Sequence, residues 1–144
     1  MRAPSGCNKQ TTHLCVINDP EKLASVAGLL PRPVVQTAKA VIAVVTDNRP
    51  AYGDMSFEPQ DYGAAVENML LAITALGYAT VWLDGVLRHD GIAERIADII
   101  GLEDRGHFTV SVILPVGIAE EQHPQHSRLP LKERVTFNTI SQSD

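Results

Sequence analysis

Residues 64–85 read AAVENMLLAITALGYATVWLDG, and within them a helical period stops at a glycine and gives way to β-forming residues. Followed upstream, Tyr62, Val66, Met69, Leu70, Ile73 and Leu76 recur at the spacing of one helix face, which predicts a helix over 60–76 with Gly77 as its C-cap. Residues 78–83 then predict a strand and Asp84-Gly85 a turn. Ala64, Ala65, Leu71, Ala72 and Ala75 add small or apolar groups to much of the remaining circumference. A surface helix needs no such second stripe, so burial on two sides is expected, most easily against a partner subunit.

The segments on either side alternate between strand and helix patterns. Residues 13–17 are a short run of β-formers, and Asp19-Pro20 offers an N-cap and first helical position for a helix over 21–28. Pro31 and Pro33 exclude regular helix from 30–35, and a nearly continuous buried-strand pattern follows over 38–46, closed by Asp47-Asn48-Arg49-Pro50. Residues 50–59, rich in Pro, Gly, Tyr and Asp, read as an exposed loop of the kind that borders a site. A helix is expected over 90–100 and a last core strand over 108–118. The polar remainder, punctuated by His123-Pro124 and Leu129-Pro130, should run extended across a surface. No repeat interrupts the alternation, which points to one α/β or α+β domain.

The totals narrow the function classes. A chain of 144 residues, 44% hydrophobic, suffices for one core. Twelve basic against seventeen acidic residues give −5, so there is no basic field to gather nucleic acid or an anionic membrane. The longest apolar runs fall well short of the roughly 20 residues that span a bilayer, and no charged-then-apolar leader is visible, so the protein reads as cytoplasmic. Cys7 and Cys15 match no zinc spacing and read as small, semi-buried thiols.

Three stretches could carry chemistry. Pro4, Ser5, Gly6, Cys7, Asn8, Lys9 and Gln10 combine a hydroxyl, two amides and a glycine that admits close approach, a set able to recognise a planar heterocycle by its donors and acceptors. By composition alone the same stretch reads as a turn before the first strand. A loop of this kind with so little chain ahead of it suggests truncation or completion by a second subunit. Ser5 lacks the context of a hydrolase nucleophile. At Trp82-Leu83-Asp84-Gly85, turn amides could donate to a ligand while Trp82 walls a pocket; the plain alternative is a core Trp and an ordinary turn. In the tail, His123 and His126 lack companions for zinc, whereas His126 and Arg128 would set two donors on one side of an extended chain for an anion. Lys132, Glu133 and Arg134 read as a solvated charge run.

Taken in order, APSGCNKQ (3–10), the helix-to-turn stretch 64–85, ILPVGIAEEQHPQ (113–125) and SRLPLKERVTFN (127–138) resemble the flavin-dependent nitroreductase family, collinearly over almost the whole chain. The resemblance implies an α+β fold with a central, mainly antiparallel sheet flanked by helices, in a homodimer embraced by an extended C-terminal tail. It implies an FMN-dependent oxidoreductase that uses NADH or NADPH to reduce nitroaromatic, quinone or similar small-molecule acceptors by ping-pong hydride transfer through flavin N5, with no catalytic side chain and no metal. Enoyl reduction and reductive dehalogenation are other chemistries the fold hosts.

Carried over by motif, Pro4, Ser5, Gly6, Asn8 and Gln10 would line the isoalloxazine from one subunit, and Leu83, Asp84 and Gly85 would meet its other side, with the Asp84 amide near N5. Arg128, with His126 beside it, would hold the phosphate. Acceptor preference would be set in the 50–59 loop. Family members usually begin with a further helix and an Arg-x-Ser-x-Arg segment, so the chain reads as an N-terminally short form, one nitroreductase-like domain over 1–144. The alternative is a truncated or non-catalytic module of this fold that does not retain FMN.

Overall fold

The structure is a computed structural model that describes residues 2–121 and 124–140. Four strands form one sheet: β1 (Thr12–Ile17), β2 (Ala40–Asp47), β3 (Ala79–Thr80) and β4 (Phe108–Gly117), in the order β1-β2-β4-β3 with every pairing antiparallel. Helices α1 (Pro20–Leu29), α2 (Pro33–Gln36) and α4 (Ile92–Ile100) lie on one face and α3 (Glu58–Ala75) on the other. This is the α+β architecture with a central antiparallel sheet that the family resemblance implies, and it decides between the α/β and α+β readings that the alternation alone left open.

The alternation along β2 explains the two layers. Val41, Ala43 and Val45 enter the core shared with α1 and α4, where Val26 and Ile96 are fully buried. Val44, between them, points the other way and packs with Val66, Val112 and Leu114 under α3. A period of two thus fills both faces, and the β-branched run is buried except at Ile42, which is partly buried. Residues of this size each contribute about 1.5–3 kcal/mol when fully buried.

Local chemistry sets the helix ends. Asp19 caps α1 by accepting from the Glu21 and Lys22 amides at 3.1 and 3.0 Å, with Pro20 in the first turn. At the end of α3 the Gly77 N–H donates to Thr74 O and the Tyr78 N–H to Ile73 O, with Gly77 at φ +81°, which satisfies carbonyls that the helix end would otherwise leave open.

Several sequence expectations are corrected. Pro33 does not exclude helix; it opens the single-turn α2, a position where its missing N–H is unneeded. α3 starts at Glu58, inside the expected loop. The strand expected over 78–83 shrinks to two residues plus an isolated bridge between Leu83 and Ile113. Pro115 explains the gap: Ile113 donates to Leu83 at 2.9 Å, so residue 115 turns its nitrogen toward the same edge, and a proline has nothing to donate to the strand there. Asp84-Gly85 is not a simple turn but leads into a 3₁₀ turn over Gly85–Arg88. The tail makes a short helix, α5 (Leu131–Arg134), where an extended run was expected. Cys7 is exposed rather than semi-buried, and both thiols are free. Among the described residues no helix is long and apolar enough to cross a membrane.

In the single chain α3 is covered on one flank only. Of the second stripe seen in the sequence, Leu71, Ala72 and Ala75 are exposed while Ala65 is buried, and Leu76 at the helix end is 73% exposed.

Candidate functional site

The 5–10 loop precedes β1 and carries unusual backbone. Cys7, Asn8 and Gln10 all have positive φ, between 49° and 54°. Left-handed backbone costs a non-glycine residue about 1–2 kcal/mol, least for Asn, so the loop must be held from outside itself.

The first turn of α3 supplies the hold. Asp61, 4% exposed, accepts the Gly6 N–H on Oδ1 at 2.8 Å and the Thr11 hydroxyl on Oδ2 at 2.6 Å. Within the loop, Ser5 Oγ accepts the Gln10 N–H at 2.9 Å and Ser5 O accepts the Asn8 N–H at 3.0 Å. The Asp47 N–H donates to Thr11 O at 2.8 Å and ties the loop exit to β2. Pinned at both ends, the loop turns the Asn8 and Gln10 side chains to solvent, where they make no hydrogen bond among the described residues.

A cavity of about 250 Å³ opens beside it, lined by Pro4, Ser5, Gln10, Thr12, His13 and Asp61 among others. Thr12 Oγ1 is buried and has no partner among the described residues. A hydroxyl in that state costs free energy unless a ligand or water satisfies it, which makes this side of the loop suited to a polar guest.

The neighbouring sheet end is charged and aromatic. Asp47 binds Arg49 through both carboxylate oxygens, and the guanidinium lies over the Phe108 ring at 5.5 Å, with His13 against the ring edge at 5.5 Å. The hydrogen bond from Arg49 holds the Asp47 carboxyl down at about 2.

Leu83, Asp84 and Gly85 sit elsewhere. They follow β3, on the sheet edge opposite β1, three inter-strand spacings or about 14 Å across the sheet. The Asp84 N–H makes no hydrogen bond among the described residues, while the Asp84 carboxylate is engaged by Arg88 at 3.1 Å. Trp82 is half-buried against α3, its ring 6.3 Å from Tyr62, so it serves the core as well as the turn. None of residues 83–85 lines the cavity beside the 5–10 loop.

His126 and Arg128 are exposed and meet neither set within the chain. His123 lies outside the described residues. The structure therefore gathers Pro4, Ser5, Gly6, Asn8 and Gln10, keeps Leu83, Asp84 and Gly85 together at the far edge, and leaves the tail pair apart. Asp61 escaped the sequence reading because an acid in a first helical turn suits the helix dipole and needs no further reason. The one signal was its place beside apolar Tyr62, Ala65 and Val66, where an acid must find donors.

The model of the family described as "Nitroreductase family" matches residues 25–118. A curated relative from Archaeoglobus fulgidus, provisionally named an NADH dehydrogenase/NAD(P)H nitroreductase, is 28% identical over 85% of this chain and 69% of its own length. Among solved structures, the FMN-dependent nitroreductase of Clostridium difficile R20291 superposes with a TM-score of 0.77 at 19% identity, covering 96% of this chain and 82% of that one. The NADPH:FMN oxidoreductase of Vibrio harveyi, complexed with NAD+, superposes at 0.81 with 20% identity, covering 99% of this chain and 65% of that one. Likeness at this identity speaks for a shared fold.

Proposed function

The chain belongs to the nitroreductase family, and from that premise we propose that it is an FMN-dependent oxidoreductase working as a homodimer on small-molecule acceptors. Bound FMN would supply hydride chemistry, taking hydride from NADH or NADPH and giving it to nitroaromatic, quinone or similar acceptors. The residues present fit such a group. The unpartnered Thr12 hydroxyl and the free Gln10 amide border the cavity, the free Asn8 amide stands on the same loop, and the open Asp84 N–H offers a further donor at the far sheet edge. Pro4, Ser5, Gly6, Asn8 and Gln10 would hold the ring from one chain, Leu83, Asp84 and Gly85 from the other, and His126 with Arg128 the phosphate.

The observation that carries the proposal is the separation of the two motif sets on opposite sheet edges. One chain cannot close both on one flat ligand; two chains related by a two-fold axis can. The open flank of α3 and the exposed apolar tail residues Leu129, Leu131, Val135, Phe137 and Ile140 supply surface for that association. A cytoplasmic location suits the free thiols of Cys7 and Cys15. Proton delivery needs no named side chain, and solvent suffices.

The test is FMN titration of the chain by fluorescence, with sedimentation of the same sample. Micromolar or tighter uptake by a dimer is expected. A folded chain that ignores FMN would instead be the non-retaining module of the same fold.

A further inference from the structure

We infer that Asp61 is a positioning residue of the proposed flavin site, acting through the 5–10 loop rather than on the ligand; the inference rests on the reading given above. Its carboxylate is 4% exposed, faces no cation within salt-bridge distance among the described residues, and spends both oxygens on Gly6 and Thr11, fifty or more residues upstream. A buried carboxylate is expensive to desolvate, and a neutral side chain could pack in its place. What a neutral side chain cannot do is accept two hydrogen bonds on two separate oxygens at once. Those two bonds bracket the segment whose Cys7, Asn8 and Gln10 stand at positive φ. With the bracket released, no other hydrogen bond joins the first turn of α3 to that backbone among the described residues, and the Asn8 and Gln10 amides lose their fixed direction.

The experiment compares the full chain with Asp61→Asn, Thr11→Val and Thr11→Ser, reading FMN affinity by fluorescence, amide exchange at Gly6 and melting temperature. Asp61→Asn and Thr11→Val are expected to weaken FMN binding by about tenfold, the loss that follows from one charge-assisted hydrogen bond, and to speed Gly6 exchange. Thr11→Ser, which keeps the hydroxyl, should restore both. Wild-type affinity in folded Asp61→Asn, or a lowered melting temperature with unchanged affinity, overturns the inference. Should Asp61→Asn fail to fold, the contrast between Thr11→Val and Thr11→Ser decides it. If the wild-type chain takes up no FMN, the proposed function falls separately, and Gly6 exchange alone decides the role of Asp61, equal rates in Thr11→Val and wild type overturning it.

Discussion

Phe57 occupies the space that a side chain on Gly6 would need: a β-carbon at residue 6 would collide with Phe57 Cδ2 and lie 2.7 Å from Cγ. The loop can approach the start of α3 closely enough to reach Asp61 only because residue 6 has no side chain.

Gly6→Ala should therefore cost about 1–3 kcal/mol, the usual range for forcing a methyl into a filled space. Adding Phe57→Ala should recover part of the clash, leaving only the cavity cost of the lost ring. Urea denaturation of the two single variants and the double variant measures this as a coupling energy, and additive losses would show that the contact is unimportant.

Arg128 is exposed and makes no ion pair with the described residues. Arg128→Ala is expected to leave the melting temperature within experimental error while weakening FMN affinity by about tenfold or more. Unchanged affinity would remove the tail arginine from the phosphate site.

Asp84 separates its backbone from its side chain, since the N–H is open while the carboxylate is paired with Arg88 four residues on. Asp84→Asn should cost no more than about 0.5 kcal/mol in stability and leave hydride transfer near the wild-type rate. Stopped-flow reduction by NADH checks it. A large fall in rate with FMN still bound would put the carboxylate in the chemistry.

The Asp47–Arg49 pair gives a pH signature. The folded carboxyl is held at about 2, below its ordinary 3.8, so the stability it contributes is complete above roughly pH 4 and is lost as the pH falls through 2. Comparing wild type with Arg49→Ala by denaturant melts between pH 2 and 6 should show a stability gap at the upper end that narrows toward pH 2. The part that persists at low pH belongs to the guanidinium over the Phe108 ring. A gap constant with pH would mean that Asp47 titrates normally in the fold.

Local signals were readable where a residue acts on its immediate neighbours. The alternating Val41–Val45 segment, the Asp19-Pro20 helix start and the Gly77 cap all follow from chemistry within a few residues. The misses lie where a distant partner decides. Pro115 shortens a strand more than thirty residues earlier in the chain, and Asp61 works on residues fifty or more positions away. The site residues were named in chain order, but order along the chain says nothing of order across a sheet. That β4 intervenes between β2 and β3, placing the two motif sets on opposite edges, emerges only once the strands pair.

That opposition has a genetic reading. On the proposed two-copy site, each pocket takes its 5–10 loop from one chain and its Leu83–Gly85 turn from the other. A chain damaged only in the loop and a chain damaged only in the turn, each inactive by itself, would form a mixed pair in which one pocket inherits both lesions and the other inherits neither. Two dead alleles together would then make a living enzyme, whereas lesions within a single motif would never rescue each other.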